Sequence, residues 1–419
     1  MKIKIDHIAK IEGHASFIAD LVKNDVKRAR LEVDEGARLI ESILIGRHYE
    51  DAPIITSRIC GVCPVVHILT AIKALENALN VQPTEQTILL RKLLMAAQLI
   101  NSHIAHLFLF SLSDFFGIKD DRVLAKKHNQ TVRNALKLRD FANKVIEVVG
   151  GRTIHPLAPQ VGGNRRLPKM DRLYGLLDEC LKLGNIPQEL SLLFTKLEYP
   201  LLERNVRYAS LTHPKEYAIY DGQIKTSDSE IKNTDVFIKE IQEFQLANSA
   251  IKSTRLNNQT YMVGALARLN INHKNLHKPA IEILKESKLK LPTANSFHNI
   301  LAQAIELSHC FEECKIILKT IAEHNLKDEE SITYKVKVGS GLGAIEAPRG
   351  TLYHYYEIGD NKILKNVNII TPTAQNLSRL EDDFLTYLPT LKKLSSKQRN
   401  ERIKMLIRAY DPCLTCATH

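Results

Sequence analysis

The sequence predicts an α+β protein, a large helical bundle at the centre with small β-sheets at its periphery. Two observations predict it: a period-two alternation in the first thirty-odd residues, and a helical period that sets in at Asp51 and returns after Phe297. Ile3 and Ile5, then Phe17, Ala19 and Leu21, then Ala29, Leu31 and Val33 alternate as short antiparallel strands do, and Lys23-Asn24-Asp25 reads as a turn between two of them. From Asp51 to about Gly117, Ile68, Ala71, Ile72, Leu75, Ala78 and Leu79 form one stripe behind Pro64, a residue suited to the front of a helix. Pro83 starts the next helix. Val123 to Val149 predicts a third, stopped by Gly150-Gly151. The stretch from Ile186 to Lys290 is polar and mixed, with strand-like runs at Tyr217 to Tyr220 and Gln259 to Val263. Phe297 to Asn325 is an amphipathic helix. Thr333 to Val338 and Gly350 to Ile358 alternate as strands around a turn Gly339-Ser340-Gly341-Leu342-Gly343, and helix returns after Pro372.

One unit of 419 residues accommodates this order. It comprises a β-rich segment (1–50), a helical core with one C-x-x-C (51–185), a mixed α/β insertion with a helix (186–330), and a β segment and C-terminal helix with a second C-x-x-C (331–419).

Composition excludes several classes. Apolar residues at 44% and charged residues at 25% argue against disorder and against a polytopic membrane protein. The net charge of +11 is spread without a block of five like charges, so it reads as a Lys-rich surface rather than a nucleic-acid footprint, and it would suit an acidic partner subunit. Seven cysteines are too few for a disulfide scaffold, and MKIKIDHIAKIEGH lacks the charged and apolar regions of a signal peptide, so a reducing, cytoplasmic compartment is expected. Leu93 to Phe110 is long and apolar, but Gln98, Asn101, His103 and His106 interrupt it. It is read as a buried helix with no membrane insertion, and the two histidines as satisfied core groups.

The cysteines carry the chemistry. Cys60 and Cys63 form one C-x-x-C and Cys413 and Cys416 another, 413 − 63 = 350 residues away. Each pair brings two sulfurs within reach of one ion, and four thiolates suit a soft metal such as zinc, nickel or an iron-sulfur cluster. Separate thiols or redox pairs are the alternative. Loop-closure entropy grows by only about 0.6 kcal/mol per doubling of length, so the gap permits a joint site, but the whole fold must then position it. His67, four residues after Cys63, falls on the first turn of the following helix, within reach of a thiolate. Asp411 and Pro412 precede the second pair, and His419 ends the chain as a plausible ligand. Cys180, Cys310 and Cys314 lack cluster spacing and read as buried small hydrophobes.

RICGVCPVVH and DPCLTCATH resemble the paired signatures of the large, catalytic subunit of nickel-iron hydrogenases. IEGH at Ile11 to His14, GRTIHPLAPQVGG at Gly151 to Gly163, APRGTLYHYYE at Ala347 to Glu357 and TPTAQN at Thr371 to Asn376 follow in the family's order, so the likeness covers nearly the whole chain. The form of the last two motifs is most similar to the soluble, cytoplasmic (group 3-like) branch that couples hydrogen to nicotinamide or deazaflavin cofactors or to heterodisulfide-linked partners.

The resemblance implies the family's fold and reversible cleavage of H2. It implies a nickel ion held by Cys60, Cys63, Cys413 and Cys416, with Cys63 and Cys416 bridging to an iron that carries one carbonyl and two cyanides. Four thiolates on one ion need nearby cations and donors, which Arg349 and His67 would supply. Heterolytic cleavage needs a base at close range. The family places the guanidinium matching Arg349 over the open metal position and uses the carboxylate matching Glu12 to relay protons. A lone Glu12 would read as a capping or ion-pairing carboxylate. Asp114 matches the aspartate that pairs with the active-site arginine, Asp411 sits in the same canopy, and Pro348, Pro372 and Thr373 match the lining of the cyanides. Glu41, the Ile369 carbonyl and His419 match a magnesium site.

Two features depart from the family's pattern or leave it open. Lys10 stands where the family commonly has Arg, which keeps the charge and loses a bidentate fork. Many relatives carry a C-terminal extension that a maturation protease removes, whereas this sequence stops at His419. Because the chain has no cluster motif, the expected partners are an iron-sulfur small subunit and further flavin or iron-sulfur electron-transfer subunits. The alternatives are a non-catalytic scaffold of the complex I quinone-site type, which lacks the four cysteines, and a structural zinc protein.

Overall fold

A helix buried around most of its circumference must be wrapped on every side, and the helices Pro64–Leu79 and Glu85–Ile104 are of this kind. The computed structural model describes residues 2–22, 25–33, 36–118, 120–228, 231–245 and 250–419, so the expected Lys23-Asn24-Asp25 turn lies largely outside the described residues. Strands β1 (Lys2–Ile5), β2 (Ala15–Val22) and β3 (Asp25–Val33) form an antiparallel sheet that buries Ile3, Ile5, Phe17, Ala19, Ala29 and Leu31 on one face. Helices α1 (Ile40–Leu44) and α2 (Asp51–Thr56) lead to α3 (Pro64–Leu79), which opens on Pro64 and buries fourteen of its sixteen residues.

Helix α4 (Glu85–Ile104) begins two residues after Pro83, where the Thr84 hydroxyl accepts the Thr87 N–H at 3.1 Å. It continues through a π-helical turn, Ala105–Ser111. The stretch Glu85–Phe116 is long and apolar enough to cross a membrane, but 83% of its most apolar window is buried inside the protein. The expected third helix is two: Asp121–Lys127, then α5 (Asn129–Gly150), with Gly151 in the left-handed region closing the latter. The break is at His128, whose ring stacks on Phe116 at 4.3 Å, a tertiary contact that overrides local helix propensity.

In the middle of the chain Tyr217 to Tyr220 is not a strand. The whole run is buried, and its two rings are anchored in the bundle, with Tyr217 Oη donating to Glu306 and Tyr220 Oη accepting from Arg91. Only Tyr261–Met262 of the second run is a strand, paired in parallel with Arg207–Thr212 in a four-stranded sheet. Helix α6 (His298–His324) runs through the core and carries buried Cys310 and Cys314, and Cys180 is buried beside them.

Strands β4 (Gly339–Ala347), β5 (Gly350–Ile358) and β6 (Leu364–Ile370) form a second antiparallel sheet. Here the structure corrects the expected turn: the glycine run is strand β4, and 333–338 has no regular structure. The strand's backbone lies directly on α3. A Cβ on Gly341 would sit 2.2 Å from the Ala74 carbonyl oxygen, and one on Gly343 2.5 Å from that of Thr70, so glycine serves close approach here rather than turning. Because Ala347 pairs with Gly350, Pro348 and Arg349 are the two residues of a tight hairpin loop at the end of this sheet. Helices α7 (Pro372–Thr390), α8 (Ser396–Ala409) and α9 (Leu414–Ala417) finish the chain, and one continuous apolar core reaches from Ile3 to Ala417.

Gly341→Ala should therefore push β4 off α3 and destabilise the fold by about 1–3 kcal/mol. Thermal unfolding would show an earlier transition, and an unchanged midpoint would contradict the close-approach account.

Candidate metal centre

The site is assembled at three helix ends. Cys60 is extended just beyond a 3-10 turn, Ser57–Ile59, and Cys63 caps α3 ahead of Pro64. Cys413 is extended and caps α9, whose last turn carries Cys416. The two chain ends meet through a short parallel bridge between Glu12 and Cys413, and Leu414 N–H donates to the Glu12 carbonyl at 3.0 Å. Sulfur separations are 3.4 Å for Cys60–Cys413, 3.4 Å for Cys63–Cys416 and 2.9 Å for Cys413–Cys416, and all four are buried. These lie on a sphere that metal–sulfur bonds of about 2.3 Å would span.

The donor set calls for a cation. Burial pushes the Cys413 and Cys416 thiols well above the ordinary range, while hydrogen bonds from Cys413, Cys416 and Cys63 pull Cys60 well below it. Four thiolates crowded in a buried site would need metal charge at their centre.

Arg349 hangs above the sulfurs from its hairpin. Burial works against its charge, but Asp411 and the sulfurs of Cys413, Cys63 and Cys60 hold the guanidinium protonated. Its Nε donates to the Asp411 carbonyl at 2.7 Å and Nη2 to Asp411 Oδ1 at 2.9 Å, whereas buried Nη1 has no hydrogen-bond partner among the described residues. Arg349, Pro348, Pro372 and Thr373 line a small cavity with Cys63, Cys413 and Cys416. Thr373 Oγ1 also accepts the Cys413 N–H at 3.0 Å.

The hairpin is held from behind by Arg268, all of whose N–H groups are used. Nε and Nη2 donate to Glu306 at 2.6 and 2.7 Å, Nη1 to Glu346 and the Ala347 carbonyl at 2.9 Å each, and Nη2 to the Pro348 carbonyl at 3.1 Å. Asp411 is tied to the core by Gln303, which donates to Oδ2 at 3.0 Å and in turn pairs with His106. His103 bonds Glu306 at 2.9 Å.

Asp114 needs correction. It does not pair with Arg349, because Arg408 on the last turn of α8 takes it in a two-pronged ion pair, 2.6 Å at each prong, and also donates to the Ala9 carbonyl. Asp411, three residues beyond Arg408, is the carboxylate that meets Arg349. His67 is a donor rather than a cation: burial holds its pKa down at about 3, and its Nε2 lies 3.7 Å from Cys416 Sγ. Glu12 Oε2 accepts from Cys413 Sγ at 3.0 Å and Thr415 N–H at 3.2 Å, and Oε1 from the Thr415 hydroxyl at 2.6 Å. Lys10 turns away from the sulfurs to Ser113 and Asp121.

Glu41, Ile369 and His419 also come together. Ile369 N–H donates to Glu41 Oε1 at 2.7 Å, and His419 Nε2 lies 3.0 Å from the Ile369 carbonyl oxygen and 3.8 Å from Glu41 Oε1. His419 Nδ1 is 2.6 Å from the Cys416 carbonyl, so both ring nitrogens face acceptors, and a neutral imidazole can satisfy one of them. The Lys252 ammonium approaches Glu41 from the other side at 2.9 Å.

Arg38 was not singled out in the sequence, where it is one of many surface cations. Its Nη2 donates to the Ile59 carbonyl at 2.6 Å and to the Thr415 carbonyl, and its own N–H to the Thr418 carbonyl at 2.7 Å. One side chain therefore clamps the residue before Cys60 to the residue before Cys416. Arg38→Met keeps the stem and loses these side-chain donors. It should weaken metal retention about 10-fold or more, read as metal per chain by mass spectrometry after chelator challenge, and parent-level retention would show the clamp to be dispensable.

The sequence profile of the nickel-dependent hydrogenases matches residues 38–134 and 202–419. Sulfhydrogenase 1 subunit alpha of Pyrococcus furiosus is 32% identical over 432 residues, covering 100% of this chain and 98% of the relative. Sulfhydrogenase 2 subunit alpha of the same organism is 30% identical, covering 100% and 99%. Among solved structures, an NAD+-reducing [NiFe]-hydrogenase in the H2-reduced state superposes with a TM-score of 0.91 at 26% identity, covering 100% of this chain and 99% of that one. The [NiFeSe] hydrogenase of Desulfovibrio vulgaris Hildenborough, at 22% identity and a TM-score of 0.79, shares the fold.

Proposed function

The chain belongs to the nickel-dependent hydrogenase family of oxidoreductases acting on H2, and on that premise we propose that it is the large subunit of a soluble, cytoplasmic nickel-iron enzyme working in the reversible direction. The observation that carries the reading is the four-sulfur cluster under Arg349, whose Nη1 is buried and unpartnered. When bound by Cys60, Cys63, Cys413 and Cys416, the nickel and its iron, with one carbonyl and two cyanides, supply the heterolytic splitting of H2.

The chain's own groups do the rest. Arg349 offers a fixed positive N–H in a dry cavity, where an electrostatic contact counts for more than in water. Pro348, Pro372 and Thr373 wall the side where small diatomic ligands fit. Glu12 sits against Cys413 on its inner side and is only half-buried, so it can take a proton from the sulfur and pass it outward. Asp411 and Arg268 keep Arg349 in place, and Asp114 braces α8 through Arg408.

The magnesium proposal rests on His419. A hard octahedral ion with bonds of about 2.1 Å places adjacent ligands about 3.0 Å apart, the separation found between His419 Nε2 and the Ile369 carbonyl oxygen, with Glu41 alongside. Such an ion would relieve the acceptor facing acceptor there.

Electrons leave by a surface beside the first cysteine pair. Leu39, Ile43 and Ile45 are exposed on one flank, and Ile154 and Leu157 on the other, where His155 bonds the Ser57 carbonyl at 2.9 Å. These exposed apolar side chains, with exposed Arg47 and Arg58, fit an iron-sulfur small subunit with an acidic face. The relatives are named as alpha subunits and a neighbour in structure reduces NAD+, which supports further flavin or iron-sulfur subunits and a soluble acceptor such as NAD(P) or a deazaflavin. The burial of Glu85–Phe116 fits a cytoplasmic enzyme.

Metal analysis of the purified complex should find nickel and iron near equal amounts, with carbonyl and cyanide stretches in the infrared. Zinc alone would support a structural zinc protein, and no transition metal a scaffold subunit. Cys413→Ser should abolish hydrogen evolution, and a variant evolving hydrogen at the parent rate would defeat the reading. Glu12→Gln should slow hydrogen evolution about 100-fold while leaving the carbonyl and cyanide bands in place. Loss of those bands would instead assign Glu12 to holding the metals.

A further inference from the structure

Behind Cys416 a row of polar side chains runs through the core with no obvious structural duty. His67 Nε2 lies 3.7 Å from Cys416 Sγ, its Nδ1 3.3 Å from His354 Nε2, and His354 Nδ1 2.8 Å from Tyr356 Oη. His67 is 1% exposed and His354 and Tyr356 are 0% exposed. Two apolar rings would fill this space without the desolvation cost that buried polar groups carry. His354 and Tyr356 stand two apart on β5, so the strand's period puts both on the face toward α3, where His67 sits.

The proton positions in this row follow from its ends. A thiolate bound to metal accepts hydrogen bonds and donates none, so His67 must carry its hydrogen on Nε2 to bond Cys416. A neutral imidazole then has a bare Nδ1, which only a donor can face, so His354 carries its hydrogen on Nε2. Its Nδ1 is bare in turn, and the Tyr356 hydroxyl must donate to it. Thr56, beside Tyr356, gives its own hydrogen to the Ala52 carbonyl at 2.7 Å, so towards Tyr356 it can only accept, and among the described residues Tyr356 is the donor that His354 Nδ1 meets. One donor direction alone is consistent from end to end, running from Tyr356 to the sulfur.

We propose that His354 and Tyr356 are positioning residues that lock His67 in the Nε2–H tautomer, so that a fixed hydrogen bond points at Cys416 and would draw electron density from metal held by that sulfur. This rests on the nickel-iron reading above. The bond to the sulfur is charge-assisted, and tuning of a metal by such outer partners is a general property of metal sites.

The test is the infrared spectrum of the holoenzyme complex in a single defined redox state. His354→Leu should leave the carbonyl and cyanide bands present but move the carbonyl stretch to lower wavenumber, because a sulfur without its donor pushes more density onto iron. Tyr356→Phe should move it the same way by less. His354→Gln, whose amide N–H can still face His67 Nδ1, should return it toward the parent value, a rescue that a packing role would not produce. A parent-like carbonyl stretch in His354→Leu would overturn the proposal. If that variant does not fold, an unmoved stretch in Tyr356→Phe overturns it. Carbonyl and cyanide bands missing from the parent enzyme would overturn the nickel-iron reading and the relay with it.

Discussion

Four sulfur atoms crowded into a sphere a few ångströms across, all buried, is the constraint to which the surrounding structure answers. Adjacent thiols in a dry site resist ionising together, so the protein surrounds them with groups chosen for charge. Arg349 supplies a permanent cation, neutral His67 a donor, and Glu12 an acceptor against Cys413 at the edge toward solvent. The arrangement is asymmetric: Cys60 has neighbours that donate to it, while Cys413 and Cys416 depend on what binds at the centre.

Bringing sulfurs from opposite ends of a chain within reach of one ion also needs rigid supports, and these are backbone contacts and buried ion pairs. Arg38 ties the two cysteine segments to each other. Arg268, between Glu306 and Glu346, holds the carbonyls before Arg349 with every donor satisfied, which is what makes a fully buried guanidinium tolerable. Arg408 and Asp114 brace the approach to Asp411 from a third direction. Beneath them the glycines of β4 let a strand lie against α3 at backbone distance, so the Arg349 hairpin and Cys63 are built on two elements in direct contact.

What was legible in the sequence depended on how local its cause was. The N-terminal alternation, the Pro64 helix and the helix ending near Asn325 followed from periodicity and from residues that start or stop a helix, and the described strands and helices lie there. The glycine run was misread because glycine suits a turn and a close packing equally, and nothing in Gly339 to Gly343 reveals that Ala74 and Ala78 will lie above it. Asp114 was misassigned for a related reason. Two carboxylates, Asp114 and Asp411, were placed near one arginine, and only Arg408 on α8, which takes Asp114, decides that Asp411 meets Arg349. Arg38 carried no signal at all, since its partners are main-chain carbonyls, which every residue has.

The amino-acid sequence by itself determined the chemistry: two cysteine pairs with spacing for one soft metal, a proline-flanked arginine, a terminal histidine and the order of motifs that places the chain in its family. Within each motif the residues are covalent neighbours, and the order of the motifs is the order of the chain, so these relations survive in one dimension. Which carboxylate meets Arg349, which cation clamps the two chain ends, and how Tyr356, His354 and His67 line up behind Cys416 were decided only by the tertiary structure. Each of these is a choice among chemically equivalent partners, and such a choice is made by distance and direction in the packed core, quantities that residue order does not contain.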